Sequence, residues 1–133
     1  MNRIVSKEHF SPHVVKLEVE APLIARSRRA GHFVIVRVGE KGERIPLTIA
    51  SSDTSRGTIT LVVQAVGRSS KKLCALNEGD FVTDVVGPLG QATHIERVGT
   101  VVCAGGGVGV APLLPIVEAF HKAGNRVIVV LAA

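Results

Sequence analysis

The chain has 133 residues, 46% of them hydrophobic, and a formal net charge of +5. That is room for one domain, or one domain plus a fragment, and enough apolar side chain for a packed core, which excludes a disordered polypeptide. No apolar run is long enough to span a bilayer, and residues 1–9 lack the uninterrupted apolar stretch of a signal peptide, so a soluble, cytoplasmic protein is expected.

Read in chain order, the first two-thirds has the pattern of β structure. Val15, Leu17 and Val19 alternate with Lys16, Glu18 and Glu20, which predicts a half-buried strand. Residues 33–38 form a second β-rich run, 39–43 a turn, and 44–50 a third strand whose Pro46 marks an edge or bulge. Residues 58–66 read as the longest strand, with Ile59, Leu61 and Val63 on one face. Gly67 then opens a short helix running to about Leu76. Residues 81–86 form another strand, ended by Gly87-Pro88-Leu89-Gly90. Several short strands with one short helix suggest a small antiparallel barrel.

Around residues 97–99 the character changes. Residues 100–104 form an uninterrupted apolar strand, as in a parallel sheet covered on both faces. From Val110 to Ala123 the period is helical, with Leu113, Ile116, Val117 and Phe120 on one face. Pro112 suits the first helical position and Gly124 the C-terminal cap. Residues 127–131 form the next strand. The expected organisation is a barrel over residues 1–97, followed over 98–133 by the first β-α-β of a doubly wound α/β domain.

Between that strand and helix lies Gly105-Gly106-Gly107-Val108-Gly109. It does not fit the spacing G-x-G-x-x-G. Residues without Cβ nevertheless let a diphosphate approach the backbone at a helix N-terminus. The alternative is a purely structural strand-to-helix turn, but four glycines in five residues exceed what such a turn needs. The choice between NAD and NADP is normally set beyond the second strand and is not decided here.

Other residues are less informative. Cys74 and Cys103 have neither disulfide nor metal-ligand spacing and read as small buried hydrophobes. The five histidines are scattered. No catalytic triad, carboxylate pair or metal-ligand set is present. Basic residues cluster at Arg26-Ser27-Arg28-Arg29 and at Arg68-Ser69-Ser70-Lys71-Lys72. With no Trp, no Tyr and four Phe, the aromatic platforms of single-strand nucleic-acid binders are missing. The charge suits an anionic cofactor or an acidic protein partner better.

The order of the motifs carries a resemblance. Ala30-Gly31-His32-Phe33, residues 44–49, residues 66–73, residues 87–90 and residues 105–112 follow one another as in the ferredoxin–NADP reductase superfamily. Within it the chain is most similar to the small electron-transfer subunits of dihydroorotate dehydrogenase B, sulfide dehydrogenase and NADH-dependent ferredoxin–NADP oxidoreductase. The resemblance implies a six-stranded antiparallel barrel that binds FAD, followed by an α/β domain that binds NAD(P)H. It implies that Thr48 contacts the flavin ring near N5, and that Pro46 and Leu47 stand where an aromatic residue often stacks. It implies Arg44 as the diphosphate arginine, one position earlier than in many members. Val63, Gln64, Val66, Gly67, Ser69 and Ser70 match the second flavin segment, which sets a helix N-terminus against the FAD diphosphate. Gly105, Gly106, Gly107, Val108, Gly109 and Pro112 match the nicotinamide-nucleotide segment.

The implied chemistry is hydride transfer from NAD(P)H to flavin, then electron release to an iron–sulfur centre or partner. The implied partners are a larger catalytic or iron–sulfur flavoprotein subunit and a ferredoxin-like carrier, with no nucleic acid. A [2Fe-2S] cluster is expected only in a C-terminal part that this sequence lacks. The chain alone is therefore expected to be a fragment without full reductase activity. The alternative is a non-catalytic β-barrel docking module for an acidic protein or nucleic acid.

Overall fold

A computed structural model describes residues 1–132. Its first strands are β1 (Asn2–Ser11) and β2 (Val14–Glu20), a hairpin whose register shifts twice, between Ile4 and Ser6 and between His9 and Ser11. Helix α1 (Pro22–Ser27) follows, then β3 (Phe33–Arg37), β4 (Arg44–Thr48), β5 (Ser51–Asp53) and β6 (Thr58–Gln64). Helix α2 (Arg68–Ala75) leads to β7 (Phe81–Val82) and β8 (Asp84–Leu89).

These strands close on themselves. One sheet has the order β5-β6-β2-β1-β7 and the other β4-β3-β8, all pairs antiparallel. The segment 44–53 gives β4 to one sheet and β5 to the other, and the segment 81–89 likewise gives β7 and β8. Counting each segment as one bent strand yields a six-stranded antiparallel barrel, which leaves few free edges. Alternation fills its interior. Leu17 and Val19 from β2, Val34 and Val36 from β3, and Ile59 and Leu61 from β6 are all fully buried. Leu73 from α2 plugs one end of this core and Ile24 from α1 packs against it.

The second unit is β9 (Thr100–Gly106), a single 3-10 turn (Gly107–Gly109), α3 (Val110–Lys122) and β10 (Arg126–Ala132). β9 and β10 pair in parallel with unbroken register from Thr100↔Arg126 to Gly106↔Ala132. Gly124 takes φ +96°, the left-handed conformation that ends a helix at low cost in glycine, and its N–H reaches the His121 carbonyl.

Three expectations are corrected. The barrel carries two helices rather than one, because α1 is a six-residue turn too short for periodicity to register. The strand expected over 81–86 breaks at Thr83, whose N–H turns to the Arg37 carbonyl; β8 then runs through Gly87 and Pro88 to Leu89 instead of ending there. Pro112 is the third residue of α3, not the first, since the helix begins directly on the 3-10 turn at Val110. Within residues 98–132, Cys103 of β9 is buried under α3, while Val102 and Ala104 are exposed.

Candidate functional site

The N-terminus of α2 is built by the turn before it. Gly67 is the N-cap residue in extended conformation, and Lys71 N–H donates to its carbonyl at 2.9 Å. The N–H groups of Arg68, Ser69 and Ser70 precede that first helical bond and have no intrahelical acceptor. Ser70 Oγ accepts N–H bonds from Val66 at 3.0 Å and Gly67 at 2.9 Å, which fixes the turn. A Cβ placed on Gly67 would meet nothing within 4 Å, so the space over this helix end is open.

That opening belongs to a cleft of about 410 Å³. Pro46 and Leu47 of β4 form one wall, and Val63 and Gln64 of β6 form another. Val66, Gly67, Ser69 and Ser70 form the polar end, and Val108 closes the cleft from the second unit. An apolar slot leading to free backbone N–H groups at a positive helix end is chemistry suited to a flat ring joined to a diphosphate. The residues present therefore fit a flavin dinucleotide.

The structure does not bring every expected residue here. Arg44 is exposed and lies 3.8 Å from Asp84, whose carboxylate is also the ion-pair partner of Arg37. Thr48 ends β4 opposite Phe33 and does not line the cleft. The serine hydroxyls are also already engaged: Ser69 donates to the Glu43 carboxylate at 3.1 Å and Ser70 to the Gly67 carbonyl at 3.1 Å. With the hydroxyls engaged, the backbone N–H groups remain as donors toward the cleft. Arg68, part of the 66–73 motif, lines the cleft too, and Glu43, Ile45 and Val62 line it without having been singled out from the sequence. Glu43 lay in a segment legible only as a turn.

The glycine cluster divides by role. A Cβ on Gly105 would come within 3.0 Å of Leu113 Cδ2, so that glycine lets α3 sit close on β9. Gly106 is not confined in this way: a Cβ there would meet Ala132 of β10 only at ordinary contact distance, 3.4 Å or more. Gly107 adopts φ +57°, and neither it nor Gly109 has any atom within 4 Å of a notional Cβ. These two leave bare backbone facing open space. Gly107 and Val108, with Val110, Ala111 and Leu114, border a second, apolar cleft of about 520 Å³, closed on the barrel side by Phe10, Val14 and Val62. Val62 and Val108 line both clefts, which makes them neighbours. Pro112 lines neither.

Cys74 gives its thiol to the Val63 carbonyl at 3.7 Å, and burial pushes it up in pKa against the opposing charge of Lys7, so it is no nucleophile. Among the described residues no group of three or more His, Cys, Asp or Glu could hold a metal ion. Among the described residues no helix is long and apolar enough to cross a membrane.

The comparisons with known proteins agree with this geometry. Residues 2–94 match the model of the oxidoreductase FAD-binding domain family. The chain is 43% identical over 133 residues to the dihydroorotate dehydrogenase B (NAD(+)) electron transfer subunit homolog of Thermotoga maritima, covering all of this chain and 47% of that protein. It is 29% identical to the corresponding electron transfer subunit of Fusobacterium nucleatum, covering 87% of this chain and 47% of that one. Among solved structures, that of an NADH-dependent reduced ferredoxin–NADP oxidoreductase superposes with TM-score 0.96 at 43% identity, covering 98% of this chain and 48% of that one. Phthalate dioxygenase reductase shares the fold at TM-score 0.76 and 22% identity, over 98% of this chain and 42% of that one. The chain thus spans about half the length of the relatives it matches. With the family model covering most of its residues, it belongs to the oxidoreductase FAD-binding domain family, within the ferredoxin–NADP reductase superfamily.

Proposed function

We propose that the chain is the flavin-binding portion of an electron-transfer subunit of an NAD(P)H-dependent oxidoreductase. The free N–H groups of Arg68, Ser69 and Ser70, with Gly67, hold the FAD diphosphate. Pro46, Leu47, Val63, Gln64 and Val66 hold the remainder of the cofactor. Thr48 and Arg44 complete the site from β4, Arg44 after leaving Asp84. Gly105 seats α3 closely, so that Gly106, Gly107, Val108 and Gly109 can face the diphosphate of NAD(P)H, with Pro112 in the first turn of α3. FAD, when bound, supplies two-electron acceptance and one-electron release that no side chain here can provide. The protein's part is to orient the two dinucleotides and keep water from the apolar slot.

The domain boundary in this reading falls between residues 97 and 98. A larger catalytic or iron–sulfur subunit receives the electrons, with a ferredoxin-like carrier as a further acceptor. A [2Fe-2S] cluster belongs to the part of the relatives' length that this chain does not span, and the location is cytoplasmic.

The observation that carries the reading is the pair of adjoining clefts, one ending on the open N-terminus of α2 and the other bordered by the glycine turn. Titration of the purified chain with FAD, followed by flavin fluorescence, tests it. Saturable one-to-one quenching, competed by ADP, is expected. A chain that leaves FAD fluorescence unchanged at saturating protein overturns the proposal.

A further inference from the structure

A further hollow, larger than either cleft above, plays no part in that site. It is a groove of about 690 Å³ between α1 with its following loop and the C-terminal half of α3. Arg26, Arg28, Arg29 and Lys122 line it, against one carboxylate, Glu118. Among the described residues none of these four cations has a carboxylate within ion-pair distance.

Arg28 is the centre of the groove. Its Nε donates to Ser52 Oγ at 2.7 Å, which anchors the guanidinium; among the described residues no side chain accepts from its two terminal nitrogens. The side chain is half-buried, and burial pushes it below its ordinary pKa, with Glu118 acting in the opposite direction. A charge withdrawn from water without an ion-pair partner is costly, and the cost is offset when an anion enters. A planar guanidinium fork matches phosphate oxygens two at a time. Thr54 and Thr93 also line the groove. The one ring on the groove, His94, is exposed and sits 3.3 Å from the Glu96 carboxylate, so the groove has no enclosed apolar platform for a base.

We propose that the groove between α1 and α3 is a binding site for a small polyphosphate anion, distinct from the two dinucleotide clefts. Anchored Arg28 grips the phosphate chain, Arg26, Arg29 and Lys122 neutralise its outer charges, and Glu118 sets an upper limit on the negative charge accepted. The enclosure on two sides favours a compact anion over an extended acidic peptide.

Calorimetry with inorganic tripolyphosphate on the 133-residue chain at low ionic strength tests this. A single saturable site is expected, weakening as salt rises. R28Q weakens it by about tenfold and K122Q by about threefold, while E118Q tightens it by about threefold. The gain in E118Q keeps the test decisive if R28Q fails to fold. Amide shift mapping should move Ser52, Thr93 and Ala119. The proposal is overturned if the shifts fall only on residues 67–70 or 107–109, or if the three variants bind like wild type. It is equally overturned if hexaglutamate binds as tightly as tripolyphosphate with the same dependence on the variants, which would make the groove a docking surface for acidic peptide.

Discussion

Ser70 and Gly67 hold each other reciprocally: Ser70 Oγ accepts the Gly67 N–H at 2.9 Å and donates to the Gly67 carbonyl at 3.1 Å. The same oxygen takes the Val66 N–H at 3.0 Å. One hydroxyl thereby organises the turn from behind and leaves the first-turn N–H groups facing the cleft. S70A should lower stability by about 1 kcal/mol, as for a lost helix cap. It should also weaken FAD binding by several-fold, with S70T recovering most of both. Urea unfolding and FAD titration read the two effects. An unchanged FAD affinity would separate the turn from the cofactor.

Gly67 and Gly42 have opposite reasons to be glycine. A Cβ on Gly42 would collide with the Val38 carbonyl oxygen, so G42A should destabilise the β3–β4 turn by about 1–3 kcal/mol. A Cβ on Gly67 meets open space, and its φ of −140° and ψ of 179° suit any N-cap residue. G67S should therefore keep wild-type stability or gain up to about 1 kcal/mol through its own capping hydroxyl. That hydroxyl would occupy the first-turn N–H groups, and FAD affinity should fall by about tenfold or more, as expected when charge-assisted bonds to phosphate are lost. Chemical unfolding beside flavin fluorescence decides. A G67S chain that binds FAD like wild type places the diphosphate elsewhere.

Much of this was legible because burial alternates where the sequence does. β2, β3 and β6 announce themselves through Val15-Leu17-Val19, Val34-Val36 and Ile59-Leu61-Val63, every one of which is buried. β1 gave no such signal, since only Ile4 of its ten residues is buried and its other apolar residues, Val5 and Phe10, do not alternate with it. β5 is three residues long and is ordered by its partner strand rather than by its own pattern. The site divided in the same way. Gly67, Ser69 and Ser70 lie in the cleft because a helix start is a local feature. Arg44 does not, because strand parity and cross-strand neighbours decide where it points: Arg44 and Asp84 both pair with Arg37 across three strands, and the carboxylate draws the arginine along that row. Nothing within residues 39–44 announces that long-range partner.

Asp53 gives a pH signature. Its Oδ1 accepts the Ser55 hydroxyl at 2.6 Å and the N–H groups of Ser55 and Arg56 at 3.0 and 3.1 Å. The Ser55 hydroxyl first, then the Arg56 amide, hold this carboxyl below its usual range. A depressed folded pKa contributes stability above the unfolded value, about 3.9, and that contribution is lost as pH falls through the lower folded value. The difference in urea midpoint between wild type and D53N should be constant from neutral pH to about pH 5 and shrink below about pH 4. A difference that stays flat to pH 2 would mean that the turn does not depend on the ionised form.

Asn125 should be the most sensitive polar position in the second unit. It is buried, and its amide is fully used: Oδ1 accepts the N–H groups of Val98 at 2.7 Å and Gly99 at 3.0 Å, while Nδ2 donates to the carbonyls of Glu96 at 2.9 Å and Phe120 at 3.0 Å. One side chain thus pins the segment entering β9 to the end of α3. Its removal strands two donors and two acceptors, each costing on the order of 1–3 kcal/mol where water cannot reach. N125A should lose about 2–4 kcal/mol. N125D should lose a comparable amount, because its carboxylate cannot donate to the two carbonyls. Hydrogen exchange locates the effect: protection should fall at Val98, Gly99 and along β9, while the barrel amides of Leu17 and Leu61 keep theirs. Equal loss in both regions would mean that the two units unfold as one, and that Asn125 stabilises the whole molecule rather than the joint between barrel and nucleotide-binding turn.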